Sequence, residues 1–293
     1  MDHVAPTPGA PAPGSPALDA AAHGDEYLDA DTLGTPHMLA RRQGPVGWML
    51  FNNPARRNAV RLEMWATIPR ILQAFDADPT IRVIAVSGTG DRAFVSGADI
   101  SQFEQHRSGP KAVAAYDQVA EHATAALKST PKPTVAVIRG WCIGGGVGIA
   151  VSCDLRWATE TATFGIPAGR LGLGYGMSGV KTLMDLVGPA RTKDLFFTAR
   201  HVPAPEALAM GLIDRIIPAS DLLGTAQAHL ETIAANAPLT LRTLKATVAA
   251  LADGAPVDDP SIAAMVAACF DSADYAEGRR AFMKNRPPVF TGT

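Results

Sequence analysis

Neither sign of charge dominates this chain. Its 26 Lys and Arg nearly balance 28 Asp and Glu, giving a formal net charge of -2 over 293 residues. That balance supplies no general electrostatic attraction to nucleic acid or to an anionic membrane. Cysteine is scarce as well. The three present, Cys142, Cys153 and Cys269, are odd in number and have no metal-ligand spacing. No disulfide framework and no metal site is expected from them, and their apolar settings suit reduced thiols in a cytoplasmic protein. No apolar run reaches the ~20 residues that a membrane-crossing helix needs.

What the chain does have is apolar content, 47% of its residues. That is enough to bury a full core as one large domain, with or without an appendage. The content is uneven. Met1 to Ala22 is dominated by Pro, Ala and Gly and cannot bury enough surface to offset the entropy of ordering. It lacks the charged start and continuous apolar segment of a secretory signal, and it is poor in Arg for a transit peptide. Residues 1–30 are therefore read as a disordered tail, with the acidic patch Asp25 to Asp31 leading into the domain. Residues 31–218 are read as the core and 219–293 as a helical C-terminal region.

One stretch stands out. The β-branched run Thr134-Val135-Ala136-Val137-Ile138 ends near Gly140, and Gly144, Gly145 and Gly146 follow. A small-residue segment of helical length leads from them to a second short apolar run, Leu155 to Ala158. This reads as strand, tight turn, helix N-terminus, strand. The first N–H groups of a helix lack intrahelical partners, and glycine lets an oxygen approach them closely. Three readings are open for the turn. A dinucleotide fingerprint needs G-x-G-x-x-G, and Ile149 stands where its last glycine would be. Close strand–helix packing is the plain alternative. The third is an oxyanion hole, which needs a second donor from elsewhere in the chain.

In chain order, residues 37–42 and 45–51 read as strands around Gln43-Gly44. A polar turn, Asn52 to Val60, carries Arg56 and Arg57. Leu62, Trp65, Ile68, Leu72 and Phe75 follow at helical spacing, closed by Pro79. Ile81 to Val86 is a strand, and Pro110 to Leu127 is a helix with Val113, Tyr116, Val119, Ala123 and Leu127 on one face. Met177 to Val187 and Pro189 to Arg200 read as helices, the second with proline where a missing N–H costs nothing. A short helix from Ala204, ending at Gly211, leads to a strand finishing at Ile217. Four further helices follow, over 219–235, 239–251, 261–270 and 273–284. Strands separated by helical segments imply parallel pairing by right-handed crossovers.

Several blocks, in order over roughly residues 37 to 290, resemble the crotonase superfamily, the enoyl-CoA hydratase/isomerase group. They are Asn53-Pro54 with Asn58-Ala59, and Ala93-Phe94 with Gly97-Ala98-Asp99-Ile100. Gly144-Gly145-Gly146 up to Cys153-Asp154 and Phe164-Gly165-x-Pro167 with Leu171-Gly172 come next. The last is Asp274-Tyr275-x-Glu277-Gly278 with Ala281-Phe282. The resemblance implies an α/β spiral of ββα units with a helical C-terminal trimerisation region, as a homotrimer or a dimer of trimers. It implies an acyl-CoA thioester as substrate, with coenzyme A arriving as part of that substrate and no cofactor bound tightly.

The resemblance also supplies the second donor. In the family, two N–H groups bind the thioester oxygen, and here they fall on Ala98 and Gly145. Such donors stabilise the charge that develops as the α-carbon becomes enolate-like. Coenzyme A contacts carry over to Arg56, Arg57, Ala59, Ile100, Phe282 and Lys284, with Asn285 at the position where relatives have a phosphate-binding lysine. Asp99 is read as structural. This sequence departs from the family at its proton carriers. The two hydratase glutamates fall at Gly148 and Ala168, and the dienoyl isomerase aspartate at Gly176. Glutamate-dependent hydration is therefore not supported. Tyr175, in a glycine-flanked loop, is the speculative substitute, as a hydrogen-bond donor to the acyl group. Ser96, Arg170, Glu104 and His106 are weaker candidates, and Trp141 and Cys142 are expected to pack. The readings that remain are an acyl-CoA enzyme with altered proton chemistry and a non-catalytic acyl-CoA-binding protein.

Overall fold

The computed structural model describes residues 23–99 and 109–293. The expectations placed on the tail before residue 23, and on Ile100, Glu104 and His106, lie outside the described residues.

The chain enters as β1 (Asp25–Leu28) and a short helix α1 (Ala30–Leu33), then the hairpin β2 (Met38–Gln43) and β3 (Val46–Phe51). Helix α2 (Leu62–Ala77) follows, then β4 (Val83–Gly88), β5 (Ala93–Val95) and α3 (Pro110–Ser129). The next turn is β6 (Thr134–Ile138), β7 (Trp141–Ile143) and α4 (Gly145–Val151). After it come β8 (Leu155–Thr159), β9 (Thr163–Gly165), α5 (Ala168–Leu171) and α6 (Met177–Thr198). The last strands, β10 (Val202–Pro203) and β11 (Arg215–Ile217), bracket α7 (Ala204–Ala209). Helices α8 (Leu222–Ala234), α9 (Pro238–Ala252), α10 (Pro260–Phe270) and α11 (Ala273–Met283) complete the chain.

From β4 to β9, successive strands alternate between two sheets. The larger has the order β1-β2-β3-β4-β6-β8-β11, and the smaller β10-β9-β7-β5. From β3 onward the larger sheet is parallel, and β5, β7 and β9 are parallel in the smaller. Each turn of the chain thus lays one strand in each sheet, and a helix returns it to the start. That is the expected repetition of two strands and a helix.

The central strands are buried on both faces, which explains their near-continuous apolar runs. Val46, Trp48, Leu50, Val83, Ala85, Val135 and Val137 face one way, onto Leu222, Ala226 and Leu230 of α8. Met49, Phe51, Ile84, Val86, Ala136 and Ile138 face the other, onto Met64, Ile68 and Phe75 of α2. The period of two in a strand sorts the alternate side chains in this way.

One boundary read from the sequence moves. The tail was placed at 1–30, yet β1 at residues 25–28 pairs antiparallel with β2. Tyr27 packs its ring on Phe75, centroids 5.2 Å apart, and donates its hydroxyl to Asp78 at 3.2 Å. His23 is buried edge-on against Trp48. A few well-placed rings hold a segment whose average composition is too polar to announce it. The helical region read from 219 starts with a tight turn, Ala219–Asp221, that leads into α8, and α8 packs on the larger sheet. Gly188 (φ 79°, ψ 166°) breaks α6 where a helix start at Pro189 was expected.

The C-terminal helices are locked by their own ends. Asp274 accepts the N–H groups of Thr291 and Gly292. Glu277 accepts from Arg286, Arg280 and the Val289 N–H. Those bonds, from Arg286 first and then Arg280, hold the Glu277 carboxyl far below the usual glutamate range. Such a group stabilises the fold fully above its unfolded-state pKa and loses that effect as pH falls toward the folded value. The melting temperature should therefore fall as pH drops below about 4.5. Glu277→Gln should melt lower than the parent at neutral pH and lose less on acidification, as read by circular dichroism melts across pH.

Candidate active site

The site is assembled by one asparagine and three glycines. Asn58 has a left-handed backbone (φ 55°) and a fully buried side chain. Its Oδ1 accepts the Asn53 N–H at 2.9 Å, and its Nδ2 donates to the carbonyls of Thr89 (2.9 Å) and Ala93 (2.8 Å). The amide thus pins the loop 53–60 to the ends of β4 and β5. The loop then pairs with the segment after β5. Ser96 N–H donates to Arg57 O, Val60 N–H to Gly97 O, and Asp99 N–H to Val60 O.

The last two of those bonds form a parallel bridge between Val60 and Ala98. In such a bridge the groups flanking the central residue face the partner strand, so the central residue's own N–H points to the opposite side. The half-buried Ala98 therefore turns its amide away from Val60. Gly145 lies on that side. The position its Cβ would take is 4.0 Å from the Ala98 nitrogen.

Gly145 opens α4, where an N–H has no carbonyl four residues back to bond. The preceding Gly144 has φ 53° and anchors the turn by donating its N–H to Gly165 O at 2.8 Å. At Gly146 a Cβ would stand 2.3 Å from Val95 O. Glycine there lets the start of α4 press directly onto β5. The open side of Gly145 is walled by the Trp65 indole, 3.2 Å from the Cβ position. Trp65 is held by a 2.8 Å hydrogen bond from its Nε1 to the buried Tyr116 hydroxyl. The Ala98 segment and the start of α4, from distant parts of the chain, thus lie close together beside an aromatic wall.

The two positions expected to hold proton carriers, Gly148 and Ala168, have no ionisable side chain. A Cβ at Gly148 would meet nothing within 4 Å, and Ala168 is buried. Tyr175 comes to the turn: its hydroxyl lies 3.9 Å from the Cβ position of Gly144, and its ring stands edge-on to Phe196. Burial pushes the Cys153 thiol up to about 12 and raises Cys142 well above its usual value. Neither offers a thiolate near neutral pH. Cys142 packs in the core as expected, and Trp141 stacks its edge on His201. The Ser96 hydroxyl turns back to Arg56 O at 3.4 Å.

Arg56 and Arg57 are exposed, on the loop that pairs with the Ala98 segment. Ala59 is buried beneath them, and its carbonyl accepts from Asn53 Nδ2. Phe282 and Lys284 lie in a different cluster. Phe282 is 85% exposed at the end of α11, on an apolar cavity shared with Leu244, Phe270 and Tyr275. Arg170 is exposed on α5.

Sequence reading missed one part of this site. Trp65 reads as an ordinary core position on an amphipathic helix; its contact with Gly145 depends on tertiary placement.

The glycines of this turn are therefore not equivalent. Gly146→Ala should destabilise by about 1–3 kcal/mol through the overlap with Val95 O. Gly148→Ala, inside a helix with open space beside it, should gain about 0.5–1 kcal/mol. Urea unfolding of the two variants separates them.

The chain is similar to known proteins. The enoyl-CoA hydratase/isomerase family model matches residues 41–293. The short-chain-enoyl-CoA hydratase of Clostridium acetobutylicum is 30% identical over 214 residues, 72% of this chain and 80% of that protein. A crystal structure from Hyphomonas neptunium, described as an enoyl-CoA hydratase/isomerase family protein, superposes with a TM-score of 0.85 at 36% identity. It covers 89% of this chain and all of the other. An enoyl-CoA hydratase/carnithine racemase structure from Magnetospirillum magneticum gives a TM-score of 0.84 at 32% identity, covering 92% and 97%. The chain thus has the crotonase fold and belongs to the enoyl-CoA hydratase/isomerase family.

Proposed function

We propose that this protein is an acyl-CoA-processing enzyme that holds a thioester carbonyl oxygen between the amides of Ala98 and Gly145. The observation that carries the reading is the Ala98 nitrogen lying 4.0 Å from the position a Cβ would take on Gly145, at a helix start whose amide lacks an intrahelical partner. A ground-state carbonyl needs little from two donors. An enolate oxygen needs much more, because the negative charge sits there, and preorganised N–H groups meet it without reorganising. Removing an α-proton, or cleaving a bond to the α-carbon, becomes accessible by that route.

Arg56 and Arg57 suit the phosphates of coenzyme A, since guanidinium groups bind phosphate oxygens bidentately. The family resemblance assigns Ile100 to the same coenzyme A contact. Phe282 and Lys284 reach the adenine end from a neighbouring subunit of a trimer or a dimer of trimers. The exposed Leu244, Val248, Leu251, Phe282 and Met283 on the C-terminal helices are compatible with such a contact. The Tyr175 hydroxyl, next to Gly144, donates to the acyl group. No resident cofactor enters this reading, and cytoplasmic location accords with it.

Gly148 and Ala168 leave the usual hydratase acid and base without a carboxyl, so the chemistry is isomerase-like rather than glutamate-pair hydration. The second reading, an acyl-CoA binder without turnover, is favoured by the same two positions. A screen of acyl-CoA thioesters separates the two. Steady formation of a changed acyl-CoA is expected, and Gly145→Ala should lower kcat about 10²-fold by crowding the oxygen between Trp65 and the Ala98 amide. Tight binding with no turnover of any thioester would leave the binding reading. Unchanged kcat in Gly145→Ala would remove the two-amide site.

A further inference from the structure

Beside the glycine turn stand a wall that is fixed and a space that no described side chain fills.

The wall is Trp65. The position a Cβ would take on Gly145 is 3.2 Å from Trp65 Cζ2, 3.7 Å from its Cη2 and 4.0 Å from the Ala98 nitrogen. The benzo edge of the indole thus borders the same point as the Ala98 amide. That edge carries the positive rim of the ring, which suits a neighbouring oxygen that gains charge. The ring is not free to move. Trp65 and Tyr116 are both buried in the larger core cluster, and their 2.8 Å hydrogen bond would be left unmade if the indole swung aside.

The space is beside Gly148. A Cβ there would meet no described atom within 4 Å, and the residue is half-buried. Residues three apart on a helix are neighbours on one face, with roughly 5–6 Å between their Cβ positions. Gly145 and Gly148 are so placed within α4. The face is therefore closed by the indole at one residue and open at the other. A comparable length separates a carbonyl oxygen from a group on the β-carbon of its acyl chain.

We propose that Trp65 and Gly148 select thioesters whose acyl group is unbranched at the α-carbon and carries a branch or an aromatic ring at the β-carbon. The proposal rests on the thioester reading above. With the carbonyl oxygen at the amides of Ala98 and Gly145, the α-carbon is bonded directly to the carbonyl carbon and meets the indole edge first. A branch there has to displace a buried, hydrogen-bonded ring. The β-carbon lies one bond farther along α4, where Gly148 leaves room. A substituent there fills space that a side chain at 148 would take, and gains apolar contact without moving protein atoms. The filter acts on shape, so it holds by whatever route the proton moves.

Calorimetric titration of the full chain with butanoyl-, 2-methylbutanoyl-, 3-methylbutanoyl- and 3-phenylpropanoyl-CoA tests this. One methylene in a shaped apolar pocket is worth about 10–200-fold. The two β-substituted thioesters should therefore bind at least about 10-fold tighter than butanoyl-CoA, and 2-methylbutanoyl-CoA at least about 10-fold weaker. Gly148→Leu, whose side chain enters open space, should abolish the preference for the β-substituted pair. Trp65→Leu should bring 2-methylbutanoyl-CoA to within about threefold of butanoyl-CoA. Tyr116→Phe removes only the hydroxyl that holds the indole, and it should shrink the same penalty if Trp65→Leu does not fold. A parent that binds butanoyl-CoA but shows no preference among the four would overturn the filter and leave the two-amide site standing. An unchanged preference in Gly148→Leu would do the same, as would a full α-branch penalty in both Trp65→Leu and Tyr116→Phe. Failure of the parent to bind any of the four would overturn the thioester reading as well.

Discussion

The contact on which this structure turns is between a helix start and a strand with almost no atoms between them. Gly146 has no Cβ because Val95 O occupies the place where one would stand. That closeness sets how near α4 lies to the segment running from β5 through Ala98. The remaining features of the site are arranged around it. Gly144 supplies the positive φ that turns the chain into the helix, and Asn58 keeps the facing loop from pulling away. A close approach of two backbones is the cheapest way to converge amides, because it orders no side chain in the binding space.

The alternation of strands between two sheets explains why those backbones come from such different parts of the chain. β4 leads to β5 and β6 leads to β7, and β5 and β7 are neighbours in the smaller sheet. Residues after β5 and after β7 therefore emerge side by side, although some forty-five positions separate Ala98 from Gly145. The double-sided burial of the larger sheet makes this register firm. A one-residue slip in β3 or β4 would exchange the side chains facing α2 with those facing α8.

Much of this was legible in the sequence. The runs at 134–138 and 155–159, the helical spacing of Trp65, Ile68 and Phe75, and the glycine triplet each named their element, because each pattern follows from one local periodicity. Only family resemblance named Ala98 together with Gly145, since no local pattern links two residues that far apart. What escaped reading depended on tertiary placement. β1 escaped because its anchors are two rings, His23 and Tyr27, in a polar segment. The contact of Trp65 with Gly145 escaped because helical spacing marks Trp65 as a core position without saying what it will meet.

The hydrogen bond from Trp65 to Tyr116 has a mechanical consequence. Tyr116 rides on α3, so that helix is latched to the indole beside Gly145. Any substitution that tilts or slides α3 therefore shifts that wall as well, although it lies far along the chain from the glycine turn.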